Sequence, residues 1–307
     1  MTETRLEFDV GEEAEGLRID KCIAEQYEDI TRSFINKVIK NGGVLINGKV
    51  VKASKEVKLS DHVSIELPEG ESLEVLPEDI PLDILYEDSD VLVVNKPKGM
   101  VVHPSPGHYS GTLVNALLYH IKDLSGINGV MRPGIVHRID KDTTGSLIIC
   151  KNDKAHISLS AQLADHSLNR LYVAIVNGNF KEDEGTVDAP LARSTNDRKK
   201  MAVTMGGRRA VTHYKVIERF GNYTCIECKL ETGRTHQIRV HMAHIGHPVL
   251  GDTVYSKGNS PFHTEGQTLH ARTLGFIHPT TGEYVETNAP LPEYFEKILA
   301  RLRADKT

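Results

Sequence analysis

The sequence predicts an α+β protein of two domains, because strand-like apolar segments far outnumber helical ones and a small two-helix module precedes them. A third observation agrees: no glycine-rich strand-to-helix phosphate loop and no Gly-x-Gly-x-x-Gly occurs, so neither ATP nor a dinucleotide is expected. With 307 residues, the chain is long enough for one large core and one small one.

The elements follow in chain order. Leu17 to Glu28 carries apolar residues at Ile19, Cys22, Ile23 and Tyr27, the spacing of a helix face. Thr31 is placed to cap a second helix with Phe34, Ile35, Val38 and Ile39 inward, stopped at Asn41-Gly42-Gly43. A hairpin around Asn47-Gly48 and a closing strand from His62 complete a module over residues 1–67, decorated by Arg18, Arg32, Lys37 and Lys49. Residues 68–82, rich in Glu and Pro, read as an acidic linker, and residues 83–307 as the large domain. There, strands are expected at Ile84–Asp88, Val91–Asn95, Leu147–Cys150, Leu171–Val176, Thr212–Ile217 and Tyr223–Leu230, with helices at Thr112–Ile121 and about Lys154–Asp165.

Charge narrows the function. Pro68 to Asp90 holds nine acidic and no basic residues, so the rest of a chain whose formal charge is −5 carries +4. Between Arg193 and Lys215, seven Lys and Arg stand against Asp197 alone, around Gly206-Gly207, which suits contact with phosphate. No apolar run reaches the about 18 residues of a membrane span, and the acidic start is unlike a secretory signal, so a cytoplasmic protein without membrane association is expected. Four cysteines do not make a disulfide framework.

Two dense polar clusters carry the chemistry. In Arg132-Pro-Gly-Ile-Val-His137-Arg138-Ile-Asp140-Lys141-Asp142-Thr143-Thr144-Gly145, Asp140 is flanked by His137, Arg138 and Lys141 just before an apolar run. It reads as a salt-bridged strand cap or as a charge-balanced reactive carboxylate. In Leu230-Glu-Thr-Gly233-Arg234-Thr-His236-Gln237-Ile238-Arg239-Val-His241, an extended chain would face Arg234, His236, Ile238 and Val240 one way and Thr235, Gln237, Arg239 and His241 the other. One of those faces is expected to meet Asp140. Metal is not expected: Cys225-x-x-Cys228 on a strand points its thiols to opposite faces and no second cysteine pair exists, and His236, His241, His244 and His247 are spaced only loosely like a metal site.

The N-terminal module resembles the small RNA-binding domain first recognised in a small-subunit ribosomal protein, through Leu17-Arg18-Ile-Asp20, Thr31-Arg32-Ser33, Gly42-Gly43-Val44, Asn47-Gly48-Lys49 and Leu59-Ser60-Asp61-His62-Val63. Five further blocks resemble the RluA family of pseudouridine synthases, and the whole chain is similar to its RluD-type members. They are Asp90-x4-Asn95-Lys96-Pro97-x-Gly99-x3-His103-Pro104; His137-Arg138-Ile-Asp140-x2-Thr143-x-Gly145; Tyr172-x-Ala174-Ile-Val-x-Gly178; Thr232-Gly233-Arg234-Thr-His236-Gln237-Ile238-Arg239-x-His241, continuing to Gly251-Asp252-x2-Tyr255; and Leu269-His270-Ala271-x2-Leu274-x-Phe276-x-His278-Pro279.

The resemblance implies a catalytic domain with a mostly antiparallel mixed sheet, and a cofactor-free isomerase that detaches uracil from ribose and rejoins it through carbon. It assigns Asp140 as nucleophile or base at the ribose, Arg234 as its ion-pair partner and Tyr172 as the residue stacking on the flipped base. Ile238 is expected to pack beneath the base, with His137, Arg138 and Arg239 serving substrate or phosphate contact; Arg170 stands where relatives often carry Lys. RNA is the implied partner: ribosomal RNA of the large subunit, free or in precursor particles, bound by a monomer. A synthase acting on transfer RNA and a non-catalytic RNA-binding or assembly factor are the alternatives.

Overall fold

A computed structural model describes residues 5–11, 14–26, 32–66, 75–104, 108, 110–126, 133–194, 197, 200–256 and 260–305. The chain divides into two compact units, Met1–Glu74 and Val75–Thr307.

The small unit is a four-stranded antiparallel sheet in the order β1 (Arg5–Asp9), β4 (His62–Glu66), β2 (Val44–Ile46), β3 (Lys49–Val50), with helices α1 (Ile19–Gln26) and α2 (Arg32–Lys40). Both helices bury one face, and Ile19, Cys22, Ile23, Ile35, Val38 and Ile39 share a core with Val44, Val63 and Ile65. The β2–β3 turn has the two positive φ angles of a type I′ hairpin, 50° at Asn47 and 77° at Gly48. Asn47 also secures the neighbouring strand, its amide donating to Asp61 and its oxygen accepting from the His62 N–H, each at 2.8 Å. Strand β1 was not expected; it pairs along β4 from Arg5↔Glu66 to Asp9↔His62. Thr31, Tyr27 and the side chains of Arg32, Phe34 and Lys37 lie outside the described residues.

The large unit begins inside the segment read as a linker. Val75 is buried in the main core, the Leu76 carbonyl accepts from the Asn115 side chain at 2.8 Å, and the Glu78 carboxylate accepts from the Gly111 N–H at 3.1 Å. Residues 75–80 are therefore part of this unit's packing.

Its nine-stranded sheet runs β5 (Ile84–Glu87), β6 (Val91–Lys96), β7 (Thr144–Cys150), β14 (Leu269–Ile277), β8 (Asn169–Asn177), β13 (Tyr223–Leu230), β12 (Val211–Arg219), β9 (Glu184–Asp188), with β15 (Tyr284–Asn288) also on β14. Only β7 and β14 are parallel; the other pairings in the sheet are antiparallel. A separate hairpin joins β10 (Leu191–Arg193) and β11 (Met201–Val203). Helices α3 (Leu113–His120) and α5 (Gln237–His244) cover one face, packing Leu113, Leu117, Ile238 and Met242 on Leu147, Ile149, Ala174, Ile226 and Cys228. On the other face α6 (Glu293–Ala304) packs Phe295, Ile298 and Leu299 on Val173, Ile175 and Cys225, and α4 (Asp153–Ala164) packs Ala155 and Leu159 on Ile148 and Phe276. Successive residues of β7, β8 and β13 alternate between these cores, so the strands read as continuous apolar runs. The α3 start is a capping box between Thr112 and Asn115, and Asn152 caps α4.

Gly145, at φ 109°, lets β7 approach β14: a Cβ there would lie 2.2 Å from the Ala271 carbonyl oxygen. One expectation fails here. The segment after Arg234, read as extended, turns at His236 (φ 58°) and becomes helix α5. Gln237, Ile238, Arg239, Val240, His241 and Met242 are all buried, so that helix has no polar face to announce its period.

Candidate active site

A cleft of about 510 Å³ opens between the loop entering β7, the start of β8 and the turn into α5. It is lined by Arg138, Asp140, Arg170, Tyr172, Arg234, His236, Ile238 and Arg239 among others. The loop that carries Asp140 is fixed at both sides: the His137 Nε2 accepts from the Ile148 N–H at 3.1 Å, and the Asp140 carbonyl accepts from the Thr143 N–H at 3.1 Å. Behind it, the fully buried Lys96 ammonium donates to the carbonyls of Pro97 and Met100 at 2.8 Å and of Lys141 at 3.0 Å.

Asp140, its side chain 17% exposed, accepts from Arg239 Nη1 at 2.9 Å through Oδ2. This corrects the expected pairing with Arg234. Winding residues 237–244 into a helix carries Arg239 inward, while Arg234 stays at the rim and donates its Nε to the Arg209 carbonyl at 3.1 Å. Arg239 is held in turn by Asp252, with Nε to Oδ2 at 2.7 Å and Nη2 to Oδ1 at 3.0 Å. Asp252 itself accepts the backbone N–H groups of Val254 and Tyr255 at 2.8 and 3.0 Å. A bidentate pair thus fixes the guanidinium plane and leaves one N–H aimed at Asp140. Burial raises the Asp252 pKa, but bonding to Arg239 outweighs it and the net direction is down; the two carboxylates likewise lift Arg239 above its ordinary value against its burial.

His236 Nε2 lies 3.8 Å from Asp140 Oδ1, beyond hydrogen-bond length. The Tyr255 hydroxyl accepts from the Met201 N–H at 2.8 Å and is hydrogen-bonded to His236 Nδ1 at 2.8 Å. Burial lowers the His236 pKa. His137 is neutral, pushed down to about 3 by burial and by Arg170, so it adds no positive charge beside Asp140 as the sequence reading had it. Tyr172 is buried on β8 with its pKa raised by desolvation, and Ile238 is buried on α5. Arg138 is exposed, with Nη1 at 3.2 Å from His103 Nε2.

In the small unit, Lys49 is exposed, while the half-exposed Arg18 is engaged bidentately by the buried Asp20 at 3.0 and 3.1 Å. Arg198 and Lys199 of the basic loop lie outside the described residues; Lys200, Arg208 and Arg209 are described, and Arg209 pairs with Glu231 at 2.7 Å.

Groups able to hold a metal are few among the described residues. Cys225 and Cys228 sit in different cores on opposite sheet faces, their thiols pushed up by burial, Cys225 to about 12. His241 meets Thr212 and Ala189, His247 meets Asn177, and His236 meets Tyr255, so these rings face different partners. Asp88, Asp90 and His278 come together, but His278 Nδ1 accepts the N–H groups of Thr280 and Thr281, leaving Nε2 to donate to Asp88 at 2.7 Å. Asp88 further accepts from Tyr86 and from the N–H groups of Asp90 and Val91. That cluster is a closed hydrogen-bond network.

Sequence reasoning named Asp252, Tyr255 and Lys96 within motif blocks without giving them roles. The signal for Asp252 was an acidic residue inside an otherwise cationic block.

Comparison with known proteins identifies the family. Residues 90–244 match the family model "RNA pseudouridylate synthase" and residues 17–63 match "S4 domain". An uncharacterized RNA pseudouridine synthase of Bacillus subtilis is 53% identical, covering 97% of this chain and 98% of its own. The ribosomal large subunit pseudouridine synthase D of Zymomonas mobilis is 48% identical over 95% of each chain. Among solved structures, human RNA pseudouridylate synthase domain containing 1 superposes with a TM-score of 0.56 at 25% identity, over 77% of this chain and 98% of that one. The chain belongs to the RNA pseudouridine synthases, isomerases that convert uridine in RNA to its carbon-linked isomer. Within them it is of the RluD-like type that pairs the catalytic domain with an S4 domain.

Proposed function

We propose that this synthase modifies uridines of large-subunit ribosomal RNA, with Asp140 acting at the ribose, Arg239 aiming it and Tyr172 stacking on the everted base. The observation that carries the assignment is Asp140's asymmetric setting at the cleft. Its Oδ2 is occupied by Arg239, whereas Oδ1 has His236 at 3.8 Å and is open to a substrate. Adding to C1′ and removing a ribose proton both require such an oxygen, directed and not saturated with donors. The base must leave its stack to reach it, and a buried tyrosine beside the carboxylate offers the flat surface an everted uracil needs.

The ribosomal target rests on relatives named for it and on the S4 module, whose Lys49, together with Arg32 and Lys37, supplies phosphate contacts. The enzyme works as a cytoplasmic monomer on free RNA or precursor particles. Arg234 and Arg138, at the cleft edge, bind the RNA backbone around the target.

The test is pseudouridine formation in uridine-labelled ribosomal RNA transcripts, with a chelator and no added nucleotide. Wild type is expected to form product; Asp140→Asn is expected to bind RNA with unchanged affinity and form none. Product on transfer RNA alone would move the substrate, and Asp140→Asn of normal activity would remove the role given to this carboxylate.

A further inference from the structure

Arg170 is a buried cation with no carboxylate partner among the described residues. It stands at the start of β8, 6% exposed, and lines the cleft two residues before Tyr172, on the same side of the strand. Its Nε is buried without a hydrogen-bond partner, and no carboxylate among the described residues lies within 4.0 Å of the guanidinium. Its place is nevertheless reserved. Gly233 leaves the room it needs, since a Cβ there would come within 2.8 Å of Arg170 Nη1. Nearby groups are neutral or already paired: His137 is uncharged, Tyr172 keeps its proton and Asp140 is bonded to Arg239. A buried guanidinium left unpaired is a standing cost to the fold, unless a ligand supplies the missing partner.

We infer that Arg170 receives the uracil ring as it leaves the sugar, bonding a ring carbonyl oxygen and taking up the negative charge that develops there. This rests on the proposed reaction at Asp140. When C1′–N1 breaks, its electron pair goes to uracil and spreads over N1, O2 and O4. When C5 bonds to C1′, that ring loses its C5 proton and N1 gains one, so the isomerisation balances without a co-reactant. A ring stacked on Tyr172 has its carbonyl edge within reach of a neighbour two residues along the same strand face. A fixed cation in a site shielded from water stabilises charge that exists only during reaction, which raises turnover more than affinity.

The experiment compares wild type, Arg170→Met and Arg170→Lys in single turnover on a large-subunit ribosomal RNA transcript carrying C5-tritiated uridine, read as tritium released to water, or 5-fluorouridine, whose C5 has no proton to lose and whose carbon-linked product keeps its fluorine and adds water at C6, read as that mass gain in nuclease digests. Arg170→Met is expected to lose about 100-fold in rate on uridine, with RNA affinity unchanged within about threefold and a melting temperature equal to or above wild type. Arg170→Lys restores most of the rate. Because 5-fluorouracil is the better leaving group, Arg170→Met loses much less on it. A lowered melting temperature with equal losses on both substrates would make Arg170 merely structural, and an unchanged rate would also overturn the inference. A wild type inactive on ribosomal and transfer RNA alike would overturn the proposed reaction itself.

Discussion

Replacing Asp252 by Asn tests whether the aim of the reactive carboxylate is set from outside the cleft. Asp252 is fully buried and accepts four N–H groups: two from Arg239 and two from the backbone of Val254 and Tyr255. Asparagine keeps the shape but has one oxygen. If that oxygen holds the backbone pair and Nη2, the amide nitrogen faces Arg239 Nε, and a charge-assisted bond becomes a donor–donor contact. A hydrogen bond to a charged group is worth about 1.5–3 kcal/mol, and unbalancing a buried pair costs about 3–5 kcal/mol. Asp140 still neutralises part of the charge, so a loss of about 3 kcal/mol is expected. For a unit of this size that lowers the melting temperature by about 6–12 °C. The guanidinium also loses its fixed plane, and a shift of about 1 Å in the group that aims Asp140 lowers single-turnover rate about 100-fold. Calorimetry and single-turnover pseudouridine formation measure the two effects. An Asp252→Asn protein with wild-type melting and wild-type rate would refute the argument.

Other outcomes follow from the same geometry. Lys96→Met strips three carbonyls of their donor and, at about 1 kcal/mol or more each, destabilises the protein to urea by about 3 kcal/mol while slowing turnover through the Lys141 tether behind Asp140; equal urea midpoints would contradict this. His137 has its folded pKa depressed to about 3 from 6.5, so the unfolded chain takes up the proton first. Its contribution is whole above pH 6.5 and fades as pH falls toward 3, costing a few kcal/mol; His137→Gln, which keeps an acceptor for the Ile148 N–H, flattens that acid limb in urea titrations. RNA affinity falls steeply with salt, and Arg208→Ala, removing an exposed cation of the basic loop, reduces the log–log slope by about 1; an unchanged slope in filter-binding titrations would take Arg208 out of the interface.

The strands of the large sheet were legible because β6, β7, β8 and β13 lie between two cores and need apolar residues on both faces. Helix α3 was legible from Thr112 and its leucines, and the Asn47-Gly48 hairpin from its turn residues. Strand β1 was not, since it is a five-residue edge strand whose partner, β4, lies more than fifty residues on, although Leu6 and Phe8 alternate with charged residues and pack on the small core. Helix α5 was misread for the opposite reason: buried on all sides, it has no amphipathic period, and its polar residues fell by chance at every second position. The candidate site inherited that error. Arg234 and Arg239 are five residues apart, and only the rotation of a helix decides which guanidinium points at Asp140. The motif blocks gathered the right residues; the pairings within them are tertiary facts.

The place of β14 bears on when this enzyme becomes an enzyme. Asp140 precedes β7 and Tyr172 lies on β8, two strands that never touch; β14 is inserted between them, pairing Thr144 with His270 and Tyr172 with Ala271. A chain emerging from the ribosome therefore makes its reactive carboxylate and its stacking tyrosine long before the strand that brings them together. Until residue 277 has been added, the two halves of the sheet have no common edge, and closing them spans more than a hundred residues of sequence. Assembly of the reaction centre thus waits for β14 to be made.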